Sequence, residues 1–148
     1  MQKITPFLWF DGNAEEAARF YTSVFPDAKI TGGMPGPNGK PVVVAFELAG
    51  QTFTALNGGP QFKFNESISF VVHCADQAEI DFYWNALTAD GGAPSRCGWL
   101  KDQFGLSWQI IPRNLSTLLS RPGAMDALMT MDKIEIAQLE SAAPPTQA

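Results

Sequence analysis

The sequence predicts an α+β chain made of two tandem βαβββ modules, followed by short C-terminal helices. Three observations predict it. The order of strand-like and helix-like stretches in residues 3–60 recurs in residues 66–112. Phe20-Tyr21 recurs as Phe82-Tyr83, sixty-two positions on. Leu48, Gln51 and Pro60 recur fifty-two positions on as Leu100, Gln103 and Pro112. With 148 residues, 45% hydrophobic and 17% charged, the chain can bury one sizeable core. A single domain is expected over residues 1–140, comprising module one (about 3–60), module two (about 66–112) and a helical extension (113–140), with 141–148 as a flexible tail.

Residues 3–10 alternate as a strand does, with Thr5, Phe7 and Trp9 on one face and Ile4, Leu8 and Phe10 on the other. Both faces are apolar, so the strand is expected to be covered twice. Asp11-Gly12-Asn13 breaks it and offers Asn13 as a helix N-cap, with Glu15 and Glu16 in the first turn. A helix over 14–25 follows, its apolar side formed by Ala17, Phe20, Tyr21, Val24 and Phe25. A strand at 28–31 is expected to dissolve into a mobile loop at 32–39, rich in glycine and proline. Strands at 41–48 and 52–56 flank the Ala49-Gly50-Gln51 turn. Module two repeats this with a strand at 67–74, Asp76 as N-cap, and a helix at 77–89 burying Ile80, Tyr83, Trp84 and Leu87. Its last unit is a hairpin within residues 97–112, where Ser107, Gln109 and Ile111 point one way and Leu106, Trp108 and Ile110 the other. Two short helices are expected after Pro112.

Composition excludes some functions. Ten basic residues against fifteen acidic ones give a net charge of −5, and the basic residues are scattered singly, so no nucleic-acid partner is expected. No long apolar segment or leader pattern is visible, which points to a cytoplasmic protein without a membrane partner. Cys74 and Cys97 read as two reduced, buried thiols. His73 has no carboxylate partner at recognisable spacing and reads as a surface or satisfied side chain. Glu47, Glu66 and Asp102 form no catalytic pair by spacing and read as solvated or turn residues.

Several motifs carry a resemblance. Pro6-Phe7-Leu8-Trp9-Phe10, Ala14-Glu15-Glu16-Ala17, Leu56-Asn57-Gly58-Gly59-Pro60, Ile68-Ser69-Phe70-Val71-Val72 and Trp108-Gln109-Ile110-Ile111-Pro112 together resemble the PhnB-like branch of the vicinal oxygen chelate superfamily. That superfamily holds the glyoxalase and bleomycin-resistance proteins, and this branch is often labelled 3-demethylubiquinone-9 3-methyltransferase. The resemblance implies curved mixed sheets that form cavities, and a homodimer. The methyltransferase label implies S-adenosylmethionine, but the sequence carries no glycine-rich nucleotide fingerprint.

In metal-using relatives four ligands, typically His and Glu, stand near the start of the first strand and on the last strand of each module. Internal symmetry places these positions at Thr5 and Ser67, sixty-two apart, and at Asn57 and Gln109, fifty-two apart, with Ala55 as the other candidate for the third. All are neutral and weak ligands for zinc, nickel or iron, so no metal and no cofactor are expected. The expected site is a cavity in which Thr5, Asn57, Ser67 and Gln109 hydrogen-bond a small, mostly apolar oxygenated molecule, with Phe7 and Trp9 as wall. The alternative is a metal-dependent lyase, isomerase or dioxygenase acting on a small oxygenated substrate.

Overall fold

The computed structural model describes residues 2–143, and the chain divides between Phe64 and Asn65 into two compact units. Each unit carries one βαβββ module. In the first, β1 (Phe7–Phe10), α1 (Ala14–Val24), β2 (Lys29–Met34), β3 (Val43–Leu48) and β4 (Gln51–Asn57) build a sheet of order β1-β4-β3-β2. β1 runs parallel to β4, because the helix crossover returns the chain to the same direction; the other pairs are antiparallel.

Alternation divides the residues of this sheet between two faces. Leu8, Phe10, Val44, Phe46, Phe53 and Ala55 are buried under α1, which contributes Ala14, Ala17, Ala18 and Tyr21. Small residues on the helix let it approach closely, while Tyr21, Phe46 and Phe53 stack in series at 6.1 and 5.5 Å. Burying a side chain of this size contributes about 1.5–3 kcal/mol. Phe7, Trp9, Ala45, Thr54 and Leu56 face the opposite way, leaving one face of the sheet without a helix. The hairpin between β3 and β4 turns on Ala49 and Gly50, both at positive φ, as a two-residue turn requires.

The second unit repeats the plan with β5 (Ser69–Cys74), α2 (Gln77–Thr88), β6 (Ala93–Pro94), β7 (Trp99–Lys101) and β8 (Ser107–Pro112), in sheet order β5-β8-β7-β6. Asp76 caps α2 by accepting from the Glu79 amide at 2.9 Å. Ile80, Tyr83, Trp84 and Leu87, at helical spacing, bury against Leu100, Trp108 and Ile110.

Several boundaries differ from the sequence-based expectation. β1 begins at Phe7, four residues later than expected, and β5 at Ser69, two residues later, so Thr5 and Ser67 precede their strands. Asn13 makes no side-chain cap; Asn57 supplies it instead. The strand expected at 28–31 extends through Gly32 and Gly33 to Met34, because pairing with β3 outweighs the low strand propensity of glycine, at the cost of a register shift between Ile30 and Gly32. The extension forms three short helices, α3 (Leu115–Leu119), α4 (Ala124–Leu128) and α5 (Ile136–Glu140), around a second core of Leu118, Leu128, Met131, Ile134 and Leu139. Of the expected tail, residues 144–148 lie outside the described residues.

Candidate functional site

The helix-free face of each sheet is the surface on which a ligand site can be built, since the other face is filled by α1 or α2. In the second unit this face carries Ser69, Val71 and His73 from β5, Ser107 and Gln109 from β8, and Trp99 and Lys101 from β7; Ile111, at the end of β8, has the same parity but packs against the core of the C-terminal helices. Gln109 is half-buried and donates from Nε2 to the Ser69 hydroxyl at 2.9 Å. Ser69 was not among the candidate residues. Ser67 lies in the turn before β5, exposed, with its amide and hydroxyl both engaged on Asn65 Oδ1. Thus Gln109 has a serine partner, two residues beyond the expected one.

The edge of this face holds a cavity of about 350 Å³ lined by Glu66, Pro94, Ser95, Trp99, Lys101 and Ser107. The Lys101 ammonium pairs with Glu66 and holds that carboxyl below the usual carboxylate range. Ser107 is 1% exposed, and its hydroxyl is the one buried side-chain polar atom among the described residues that has no hydrogen-bond partner. Asp102, read from the sequence as a solvated or turn residue, is buried. It closes the β7–β8 loop by accepting from the Phe104 and Leu106 amides at 2.8 and 3.1 Å, and it fixes the Trp108 indole at 2.8 Å. His73 is exposed near the far end of β5.

In the first unit, Phe7 and Trp9 lie on the helix-free face as alternation predicts. Phe7 is 60% exposed. Trp9 is half-buried beneath the segment that follows β4: its indole donates to the Gly59 carbonyl at 2.9 Å and meets Phe62 edge-on at 4.8 Å. Gly58 packs so closely on the indole that an added Cβ would stand 2.3 Å from the ring. Thr5 is exposed ahead of β1. Asn57 pairs in register with Phe10 and lies on the α1 side. Its Oδ1 accepts from the Ala14 amide at 2.9 Å, and its Nδ2 donates to the Pro41 carbonyl at 2.8 Å. The structure therefore does not bring Asn57 onto the face of Phe7 and Trp9, and Ala55, fully buried, lies on the same side as Asn57.

Pairing register explains this. Phe7 pairs with Thr54; its counterpart sixty-two residues on, Ser69, pairs with Ser107, fifty-three residues beyond Thr54. The last strands thus correspond at an offset of fifty-three, not fifty-two, and a one-residue shift in a strand exchanges its faces. Gln109 corresponds to Leu56, and Asn57 to Ile110. The identities at fifty-two are not equivalent in structure, whereas Tyr21 and Tyr83, sixty-two apart, are both buried on their helices. Parity of the buried strand residues was the signal that could have located Ser69.

The arrangement and its repetition define the glyoxalase and bleomycin-resistance class of proteins, the vicinal oxygen chelate superfamily. Within it the chain belongs to the family described as 3-demethylubiquinone-9 3-methyltransferase, the PhnB-like branch, whose family model matches residues 2–111. A PhnB protein from Bacillus cereus, described with the same methyltransferase name, is 33% identical over 75% of this chain and 99% of its own, with a TM-score of 0.70. A protein from Pseudomonas aeruginosa (20% identical; 76% of this chain and 98% of its own; TM-score 0.63) shares the fold. So does a glyoxalase/bleomycin resistance protein from Albidiferax ferrireducens (14% identical; 76% and 99%; TM-score 0.52). No curated protein matches the chain.

The donor set does not fit the metal that superfamily enzymes carry. Ser69 and Gln109 are neutral and bonded to each other, and their counterparts in the first unit, Phe7 and Leu56, have no donor atom at all. Among the described residues no group of three or more His, Cys, Asp or Glu side chains is placed to hold a metal ion, and no helix is long and apolar enough to cross a membrane.

Proposed function

We propose that this protein binds a small, mostly apolar molecule carrying one or two oxygens on the helix-free face of its second module. The observation that carries the reading is the Gln109–Ser69 pair on that face, with Val71 and Trp99 directly beside Gln109 on the neighbouring strands. A half-buried amide and hydroxyl offer donors and acceptors without charge, and the cross-strand neighbours of Gln109, Val71 and Trp99, are apolar. Binding, not methyl transfer, is the activity inferred: despite the family's descriptive name, the β1-to-α1 turn has a single glycine and lacks the glycine-rich cradle of a nucleotide cofactor. Phe7 and Trp9 are proposed as apolar ligand contacts in the first module. A homodimer is part of the reading, supported by the exposure of Ile4, Phe7, Phe62 and Ile68. A cytoplasmic location is proposed from the two free thiols.

The test is a titration of the isotope-labelled protein with acetophenone, an apolar ring with one carbonyl, followed by amide NMR. Shifts centred on Ser69, Val71 and Gln109 are expected, and Gln109→Leu should weaken binding by about threefold to tenfold, the worth of one neutral hydrogen bond. Shifts confined to other surfaces, or an unaffected Gln109→Leu variant, would contradict the reading.

A further inference from the structure

The 350 Å³ cavity beside β6 and β7 has a chemistry that the neutral Gln109–Ser69 pair does not. Lys101 and Ser107 are directly opposed in the β7–β8 ladder, so their side chains leave the sheet together on the helix-free face. Ser107 is almost wholly buried, yet its hydroxyl has no partner among the described residues, an arrangement that costs stability unless something else uses the group. Lys101 is held by Glu66, and both side chains are substantially exposed, so this ion pair is of the readily exchanged surface kind. Trp99 and Pro94 supply apolar wall.

We propose that this cavity receives the carboxylate of an otherwise apolar small acid, with the Lys101 ammonium and the Ser107 hydroxyl as its two donors. A carboxylate entering the cavity replaces Glu66 on Lys101 and meets the Ser107 hydroxyl on the adjacent strand. One ammonium and one hydroxyl match a monoanion; the nearby Glu66 carboxylate opposes a doubly charged group such as a phosphate. The inference rests on the proposed binding function and deepens it by assigning one of the ligand's oxygen groups as an anion.

The probes are phenylacetate and its neutral counterpart phenylacetamide, titrated separately to millimolar concentration and followed at the Trp99, Lys101 and Ser107 amides. Phenylacetate is expected to bind about tenfold more tightly than the amide. Lys101→Met should abolish that preference, and Ser107→Ala should reduce it. Glu66→Gln, on an exposed turn, should strengthen phenylacetate binding by removing the competitor for Lys101. Equal binding of the two probes on this face, or weaker phenylacetate binding by Glu66→Gln, would overturn the carboxylate assignment and leave the broader binding function standing. Absence of binding by either probe would overturn both.

Discussion

Asn57 joins two segments that do not otherwise share a strand ladder, the start of α1 and the chain ahead of β3, through hydrogen bonds of 2.9 and 2.8 Å. Replacing it by Ala leaves the Ala14 amide and the Pro41 carbonyl without this partner in a half-buried setting. Asn57→Ala should therefore lower the unfolding free energy by about 1–3 kcal/mol. Asn57→Asp, which keeps an acceptor at the positive end of the helix dipole, should recover part of that. Denaturant titration of the two variants checks both. The cysteines give a second prediction at this scale. Cys74 is fully buried, and its thiol is pushed up to about 12, chiefly by burial and then by the Glu79 and Asp76 carboxylates. Cys97 is half-buried. Iodoacetamide at mildly alkaline pH should therefore add one carbamidomethyl group to the native protein, at Cys97, and a second only in denaturant, as intact mass will report. The burial of Cys74 was legible from its strand, but the capping role of Asn57 was not: nothing local marks an asparagine that caps a helix forty-three residues earlier in the chain.

At the scale of elements, strand and helix order was legible because alternation and helical spacing are local properties. Register was not. It depends on how many residues the hairpin loops consume. The β3–β4 turn pairs Leu48 with Gln51, whereas Lys101 pairs with Ser107 across a longer loop closed by Asp102. Between equivalent pairs the first hairpin advances nine residues, from Ala45 to Thr54, and the second six, from Lys101 to Ser107, so matches at one fixed offset do not mark equivalent positions; Asn57, paired with Phe10, lies on the helix side. The C-terminal extension was likewise legible as helical but not in its attachment. Gln77, at the start of α2, donates to the Ile134 carbonyl at 3.0 Å and accepts from the Ile136 amide at 2.8 Å. Lys133 pairs with Asp81 beside it. Gln77→Ala should cost about 1–2 kcal/mol and raise amide exchange in α5 more than in β5. The Lys133 ammonium and the Gln77 amide hold the Asp81 carboxyl below its ordinary value of 3.8. The stabilisation from this pair is therefore present above that value and lost as pH falls through the lower folded one. For so exposed a pair it amounts to about 0–1 kcal/mol.

For the whole molecule, the apolar side chains left exposed in both units are the main unsatisfied feature, with Ile4 at 80%, Phe62 at 66% and Ile68 at 67% exposure. Light scattering at micromolar concentration should give twice the mass of one chain, and a monomer would count against the dimer. The central claim, that a small oxygenated molecule lies on the helix-free face of the second module, is tested most directly by intermolecular nuclear Overhauser effects from bound acetophenone. Contacts to the Val71 side chain and to the Trp99 indole are predicted. Contacts instead to Tyr83, Leu87 or Ile110, on the side covered by α2, or to neither side of this sheet, would contradict the account.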